Sequence, residues 1–293
     1  MEPRPLHRRT LLLAALLGGA APALSGCISS LQAFNALAPK DGAGERIAQG
    51  LAYGDHTRHR LDLYAPRERH GPAPVVVFFY GGSWRSGDRG EYAFVGRALA
   101  ANGFVVAIPD YRLVPEARFP AFLEDCAAAV RWTQTNIAAH GGDGARVALM
   151  GHSAGAYNAI MLALSRRWLD GAGANPVRGA VGLSGPYDFL PLDVPATRAA
   201  FGDAPELELT QPVRFARGDA APIFLAWGAE DDLVGRRNIE SLTRAQREAG
   251  GPVESRIYPD LDHAGTLLAL SVPFRGRAPV LADAIDFLRR VAA

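Results

Sequence analysis

Two thiols in 293 residues, Cys27 and Cys126, are too few for a disulfide framework. Cys126 lies in an Ala-rich stretch that reads as helix, and like most free cysteines it is expected in the core. With no further Cys and no His-Glu-x-x-His pattern, zinc lacks a ligand set, so no metal and no other cofactor is expected. Charge of one sign is scarce as well: 31 basic against 30 acidic residues leave a net +1. There is no basic stripe to grip nucleic acid, and none is expected as a partner. Repeats, low-complexity tracts and an interdomain linker are missing too, while 48% of the residues are hydrophobic, ample for one core. Nothing in the pattern fixes an oligomeric state.

Long apolar runs are also wanting. The run from 11 to 17, continued through Gly18 to Leu24, falls short of the ~20 residues that a membrane span needs. Arg4, His7, Arg8 and Arg9 precede it, which is the layout of an export signal, and Arg8-Arg9 suits the twin-arginine route. The run ends in Leu24-Ser25-Gly26-Cys27, which resembles a bacterial lipobox. The resemblance implies cleavage before Cys27, a lipid on that residue, and a protein anchored in the bacterial envelope facing periplasm or exterior. The expected division is a signal at 1–26, a tether and leader at 27–57, and one domain at 58–293.

Within that domain short apolar runs alternate with longer helical stretches. Strands are expected at 59–64, 75–80, 104–109, 146–150, 177–183, 222–227 and 253–258, and helices at 91–102, 121–140, 154–168, 236–249 and 279–291. The alternation implies an α/β fold whose mostly parallel sheet is covered by helices on both faces. Val75-Val76-Val77-Phe78-Phe79 is apolar without alternation, as a strand covered on both faces should be. The Pro-rich stretch 185–221 breaks the rhythm. It is either a cap over a pocket or a plain surface connection.

Ser153 stands in Gly151-His152-Ser153-Ala154-Gly155, between an expected strand and an expected helix. A serine on such a tight turn is lifted clear of the sheet, the setting of a nucleophile elbow in an α/β-hydrolase. It needs a base, and in this fold the order is Ser, acid, His. His263 is the one histidine that follows Ser153, in a loop expected before the last helix. Tyr80-Gly81-Gly82-Ser83-Trp84 follows an expected strand. Two glycines there let the backbone aim its N–H groups at a developing oxyanion, with Gly82 and Ser83 as donors, Gly81 shaping the turn, and Ala154 adding its own N–H. The acid is sought in Glu230-Asp231-Asp232, three neighbouring carboxylates after an expected strand.

These motifs, with Asp110-Tyr111-Arg112-Leu113-Val114-Pro115-Glu116 and Gly141-Gly142-Asp143, resemble those of the hormone-sensitive-lipase-like esterases and their carbohydrate-esterase relatives. Kynurenine formamidases and isoprenylcysteine methylesterases are similar in pattern over about residues 58–270. In these esterases the acid commonly sits in Gly-x-x-Asp-x-x-Val, which implies Asp231, between Gly228 and Val234. A histidine that braces the oxyanion loop usually stands where this chain has Tyr80. Asp110 and Arg112 are expected to satisfy buried polar groups, and Asp143 to order a turn. The resemblance implies a carboxylesterase. The same machinery would serve an aryl formamidase or a peptidase, and a lipid-tethered binding protein without catalysis is a third reading.

Overall fold

The computed structural model describes residues 29–169 and 176–292. The expected signal and the lipid site Cys27 lie outside the described residues. The elements are α1 (Ser30–Leu37), β1 (Gly44–Ala52), β2 (Arg60–Pro66), β3 (Ala73–Phe79), α2 (Ala93–Ala100), β4 (Val105–Pro109), α3 (Ala121–Asn136), β5 (Gly142–His152), α4 (Ala154–Leu164), β6 (Ala180–Leu183), α5 (Pro195–Phe201), β7 (Ile223–Gly228), α6 (Arg237–Glu248), β8 (Val253–Tyr258), α7 (His263–Leu268) and α8 (Val280–Val291). They build one eight-stranded sheet in the order β1-β2-β4-β3-β5-β6-β7-β8. β1 and β2 pair antiparallel, as do β2 and β4, and every pairing from β4 to β8 is parallel. This is the α/β-hydrolase architecture expected from the alternation.

The central strands are apolar throughout because helices cover both their faces. Val75 to Phe79 are buried, as are Val105 to Pro109 and all of β7. α4, which follows Ser153, is buried at every residue and is the innermost helix. Cys126 is in the core, where burial pushes its thiol pKa up. Parallel strands deliver their C-terminal ends to one edge of the sheet, and the loops after β3, β5 and β7 meet there. The site described below lies along that edge.

The tether reading of residues 27–57 needs correction. α1 and β1 occupy that stretch, and β1 forms the sheet's first strand. β1 was concealed because its sequence, Gly-Glu-Arg-Ile-Ala-Gln-Gly-Leu-Ala, does not alternate cleanly, and two register shifts against β2 break its period. A bulged edge strand has one partner and leaves polar side chains half in water. α1 is held by Phe34, 3% exposed, whose ring meets Phe94 edge-on at 5.3 Å and lies 5.9 Å from Phe274.

If residues 29–57 are part of the domain, Phe34→Ala should cost about 3–5 kcal/mol of unfolding free energy, as emptying a buried aromatic site does. Urea denaturation of the purified chain measures this. A tether would leave the midpoint where it was.

Candidate active site

Ser153 leaves β5 at the sheet's C-terminal edge with φ 54° and ψ −123°, a left-handed conformation rare in a residue with a side chain. Glycine on either side makes the turn feasible. A Cβ on Gly151 would lie 2.1 Å from the Gly155 oxygen, and one on Gly155 would lie 2.0 Å from the Phe79 oxygen. The Ser153 N–H donates to the Leu183 carbonyl at 2.9 Å, which fixes the turn against β6.

Three side chains then form a continuous relay. His263 Nε2 is 2.9 Å from Ser153 Oγ, and its Nδ1 is 2.8 Å from Asp231 Oδ2. The backbone N–H groups of Leu233 and Val234 donate to Asp231 Oδ1 at 3.1 and 2.9 Å. Burial alone would raise the Asp231 pKa, but hydrogen bonds from His263, the Val234 N–H and the Ser184 hydroxyl outweigh it and hold the carboxyl below its usual value. Asp231 is buried while Glu230 and Asp232 on either side are exposed, because the turn closed by the Asp231 N–H on the Gly228 carbonyl points Asp231 inward and leaves its neighbours in solvent. Neither neighbour caps α6, whose cap residue is Arg236.

His263 opens the short helix α7 rather than lying in a loop. The Asp262 side chain caps it by accepting from the Gly265 N–H at 2.6 Å. The aspartate three residues before a glycine was the available signal for this turn.

Two supporting residues have no role assigned from sequence, His152 within the Gly-x-Ser-x-Gly motif and Ser184 outside any motif. His152 is buried beneath the relay, with Nε2 donating to the His263 carbonyl at 2.9 Å and its ring 4.8 Å from the His263 ring. Burial, and then the charge on His263, push its pKa down to about 3, so it stays neutral. Ser184, at φ 48° and fully buried, receives a 3.1 Å hydrogen bond from Thr266 on α7. Its left-handed φ could not be read from a serine in sequence.

The oxyanion loop follows β3. Gly82, Ser83 and Trp84 take positive φ values of 117°, 54° and 57° in succession. Gly81 passes so close to the elbow that a Cβ there would lie 3.0 Å from Ser153 Cβ, and a Cβ on Gly82 would lie 2.2 Å from the Ser86 oxygen. The structure thus brings Gly81, Gly82, Ser83 and Ala154 around Ser153, and Ser83 and Ala154 line the cleft beside it.

Tyr80 shows how this chain holds the loop without the usual histidine. Its ring stacks between Tyr92 and Tyr111, with centroids 5.3 and 4.9 Å away. Its hydroxyl donates to Asp110 Oδ1 and accepts from Arg58 Nη2, both at 2.8 Å. Arg58 also donates to the carbonyls of Gly87 and Tyr111, each at 2.8 Å, and Tyr111 donates to the Tyr80 carbonyl at 2.7 Å. Both ends of the 80–87 loop are therefore tied down. Asp110 further accepts from the Arg89 N–H and guanidinium, and Arg112 grips buried Asp125 through two nitrogens. Asp143 orders its turn by accepting from the Ala145 N–H at 2.9 Å and from Arg146 at 2.8 Å.

The cleft over Ser153 has a volume of about 340 Å³. Phe189, Leu190, Pro191, Val194 and Thr197 of the 185–221 stretch line it, together with Leu233, Val234, Gly235, Arg237 and Asn238. The 185–221 stretch thus contributes to the lining of the cleft.

The family described as BD-FAE matches residues 61–245. The chain belongs to the BD-FAE family. An isoprenylcysteine alpha-carbonyl methylesterase of Arabidopsis thaliana is 31% identical over 267 residues, covering 82% of this chain and 61% of that protein. The esterase LipC of Mycobacterium tuberculosis is 29% identical over 245 residues, covering 74% of this chain and 60% of its own. The chain thus spans about three-fifths of the length of these curated relatives. Among solved structures, phosphonate-inhibited esterase B of Lactobacillus rhamnosis superposes with a TM-score of 0.78 at 20% identity, over 89% of this chain and 90% of that one. At that identity the likeness is one of fold, and it agrees with the hydrolase architecture of the BD-FAE match.

Two predictions arise from the supporting residues. Tyr80→Phe keeps the stacked ring and removes the hydroxyl, so kcat for a p-nitrophenyl ester should fall about tenfold with KM little changed, as for donors that act in the transition state. A rise in KM at constant kcat would deny Tyr80 this role. The second concerns pH. The unfolded chain protonates His152 below its ordinary pKa of 6.5, whereas the folded chain does so near 3. Its contribution to stability is full above the upper value and declines by roughly 1.4 kcal/mol per unit as pH falls through that window. His152→Gln should therefore flatten the acid limb of a plot of unfolding free energy against pH, and an unchanged slope would deny the buried neutral state.

Proposed function

We propose that this protein is a carboxylic ester hydrolase that works through an acyl-enzyme, with Ser153 as nucleophile, His263 as proton shuttle and Asp231 as the acid that orients it. The observation that carries the reading is the relay itself: 2.9 Å from Ser153 Oγ to His263 Nε2, and 2.8 Å from Nδ1 to Asp231. Ser153 Oγ attacks the ester carbonyl carbon as its proton passes to Nε2. The negative charge that develops on the carbonyl oxygen is met by the N–H groups of Gly82, Ser83 and Ala154, with Gly81 shaping the loop. Collapse expels the alcohol, which takes the proton from His263. Water then repeats the sequence on the acyl-serine and releases the acid. No cofactor enters the scheme.

Relatives named as esterases support this reading, and so does a cleft of about 340 Å³, near the lower end for small-molecule sites. The sequence before Ser29 adds a location. Residues 1–26 direct export and Cys27 carries a lipid, which anchors the domain in the bacterial envelope facing periplasm or exterior.

Ser153→Ala should leave a folded protein whose ester turnover is lower by a factor on the order of a million and which a fluorophosphonate no longer labels. In the same assay Asp231→Asn should lower kcat by roughly four orders of magnitude by permitting the wrong imidazole tautomer, and Asp232→Asn far less. Retention of a tenth of the activity in Ser153→Ala would sink the mechanism, and the reverse ranking of the two aspartates would move the acid to Asp232.

A further inference from the structure

The stretch expected to be a tether is folded onto the domain, and this changes what an anchor at Cys27 would do. Ser29 is fixed: its hydroxyl donates to Glu91 Oε1 at 2.5 Å, and its side chain caps α1 by accepting from the Gln32 N–H. Glu91 belongs to the turn Arg89–Tyr92, which leads from the oxyanion loop into α2. The next residue, Tyr92, hydrogen-bonds the Gly81 backbone.

The course of the chain shows which end of the sheet this is. β1 runs in the same sense as β3 to β8, because two antiparallel pairings separate it from β4. It starts at Gly44, packed against Arg97 and Ala100 at the end of α2. α1 therefore begins beside the start of α2, at the edge where β3, β5 and β7 deliver the oxyanion loop, Ser153 and Asp231, and the chain then descends to the opposite edge to enter β1. One residue, Ile28, separates Ser29 from Cys27, so the two lie at most about 7 Å apart along the chain.

The same edge bears exposed apolar side chains. Leu233, 74% exposed, and Val194, 49% exposed, both line the cleft. Exposed leucine and valine at the mouth of a cleft suit contact with hydrocarbon better than with water.

We propose that the anchor holds the domain with its catalytic edge toward the bilayer, so that its substrates are esters presented at a lipid surface. This rests on the reading of Cys27 as lipid-bearing. A long flexible tether would let the domain tumble, whereas about 7 Å of chain does not. Leu233 and Val194 then meet the interface, and an apolar substrate passes from lipid to cleft with little exposure to water.

The test uses the full chain, purified and reconstituted into vesicles of phosphatidylethanolamine and phosphatidylglycerol. Hexadecyl acetate dissolved in the vesicles is compared with p-nitrophenyl acetate in solution. Cys27→Ser should lose at least tenfold on the embedded ester and stay within twofold of the unaltered chain on the soluble one. Thirty Gly/Ser residues inserted before Ser29, a coil of about 30 Å, should also slow the embedded ester while leaving the protein attached.

Orientation is read separately. Cys126 is buried and Cys27 is consumed by lipid, so Glu230→Cys on the catalytic edge and His70→Cys in the loop between β2 and β3 at the far edge accept a fluorophore selectively. A nitroxide-bearing lipid should quench the label at 230 several-fold more than the label at 70. Equal or reversed quenching on a chain whose mass includes the acyl groups overturns the orientation alone. A mature chain whose mass lacks them overturns the anchor and the orientation together, and equal rates for Cys27→Ser and the unaltered chain on the embedded ester overturn the substrate class.

Discussion

The left-handed turn at Ser153 is the constraint on which the neighbouring structure depends. A non-glycine residue at φ 54° costs on the order of 1–3 kcal/mol, so the surroundings must over-determine it. They do so by close approach. At Gly155 the start of α4 presses on the carbonyls of Phe79 and Tyr80, where not even a methyl group would fit. The contact that raises the nucleophile also fixes the end of β3, from which the oxyanion loop springs. Nucleophile and loop are thus set by a single packing event. The complete burial of α4 supplies the free energy that keeps the turn strained.

Charge around the relay follows from burial. Two imidazoles whose rings are 4.8 Å apart cannot both protonate without repulsion, and His152 is the one the core keeps neutral. Its proton then serves to hold the His263 carbonyl rather than to compete for Asp231. Asp231, ringed by donors from His263, Leu233, Val234 and Ser184, stays ionised, so its charge is directed at one imidazole. His152 and Ser184 never touch a reacting atom, yet the imidazole's position and polarity depend on them.

What could be read in the sequence and what could not divide along a physical line. β3, β7 and the Val147–Met150 part of β5 are nearly continuous apolar runs, and such runs announce themselves. Ser153 and Gly81-Gly82 were legible because the chemistry demands particular residue types at particular joints of the fold. Asp231 stands out among three carboxylates through the Gly-x-x-Asp-x-x-Val pattern of the esterases that the chain resembles. β1 was illegible because a bulged, half-exposed strand has no period to detect. Ser184 was illegible for a different reason. Its backbone conformation is imposed by the contacts at the ends of β6 and β7, and serine does not signal a positive φ as glycine does.

Tyr80 joins these two kinds of blindness. Its hydroxyl can hold the oxyanion loop only because Arg58 and Asp110 flank it, and Arg58 sits at the corner between β1 and β2. That corner is pinned in turn by Tyr53, whose hydroxyl donates to the Asp110 carbonyl at 2.5 Å. A leader hanging free of the domain could not present Arg58 at a fixed point, since immobilising so long a side chain through three hydrogen bonds requires a rigid base. Replacing the usual histidine by Tyr80 and folding residues 44–57 onto the sheet are therefore coupled features of this chain. The amino-terminal strand supplies the support that a histidine within the loop would otherwise provide, so the boundary of the catalytic unit falls before β1 rather than after it.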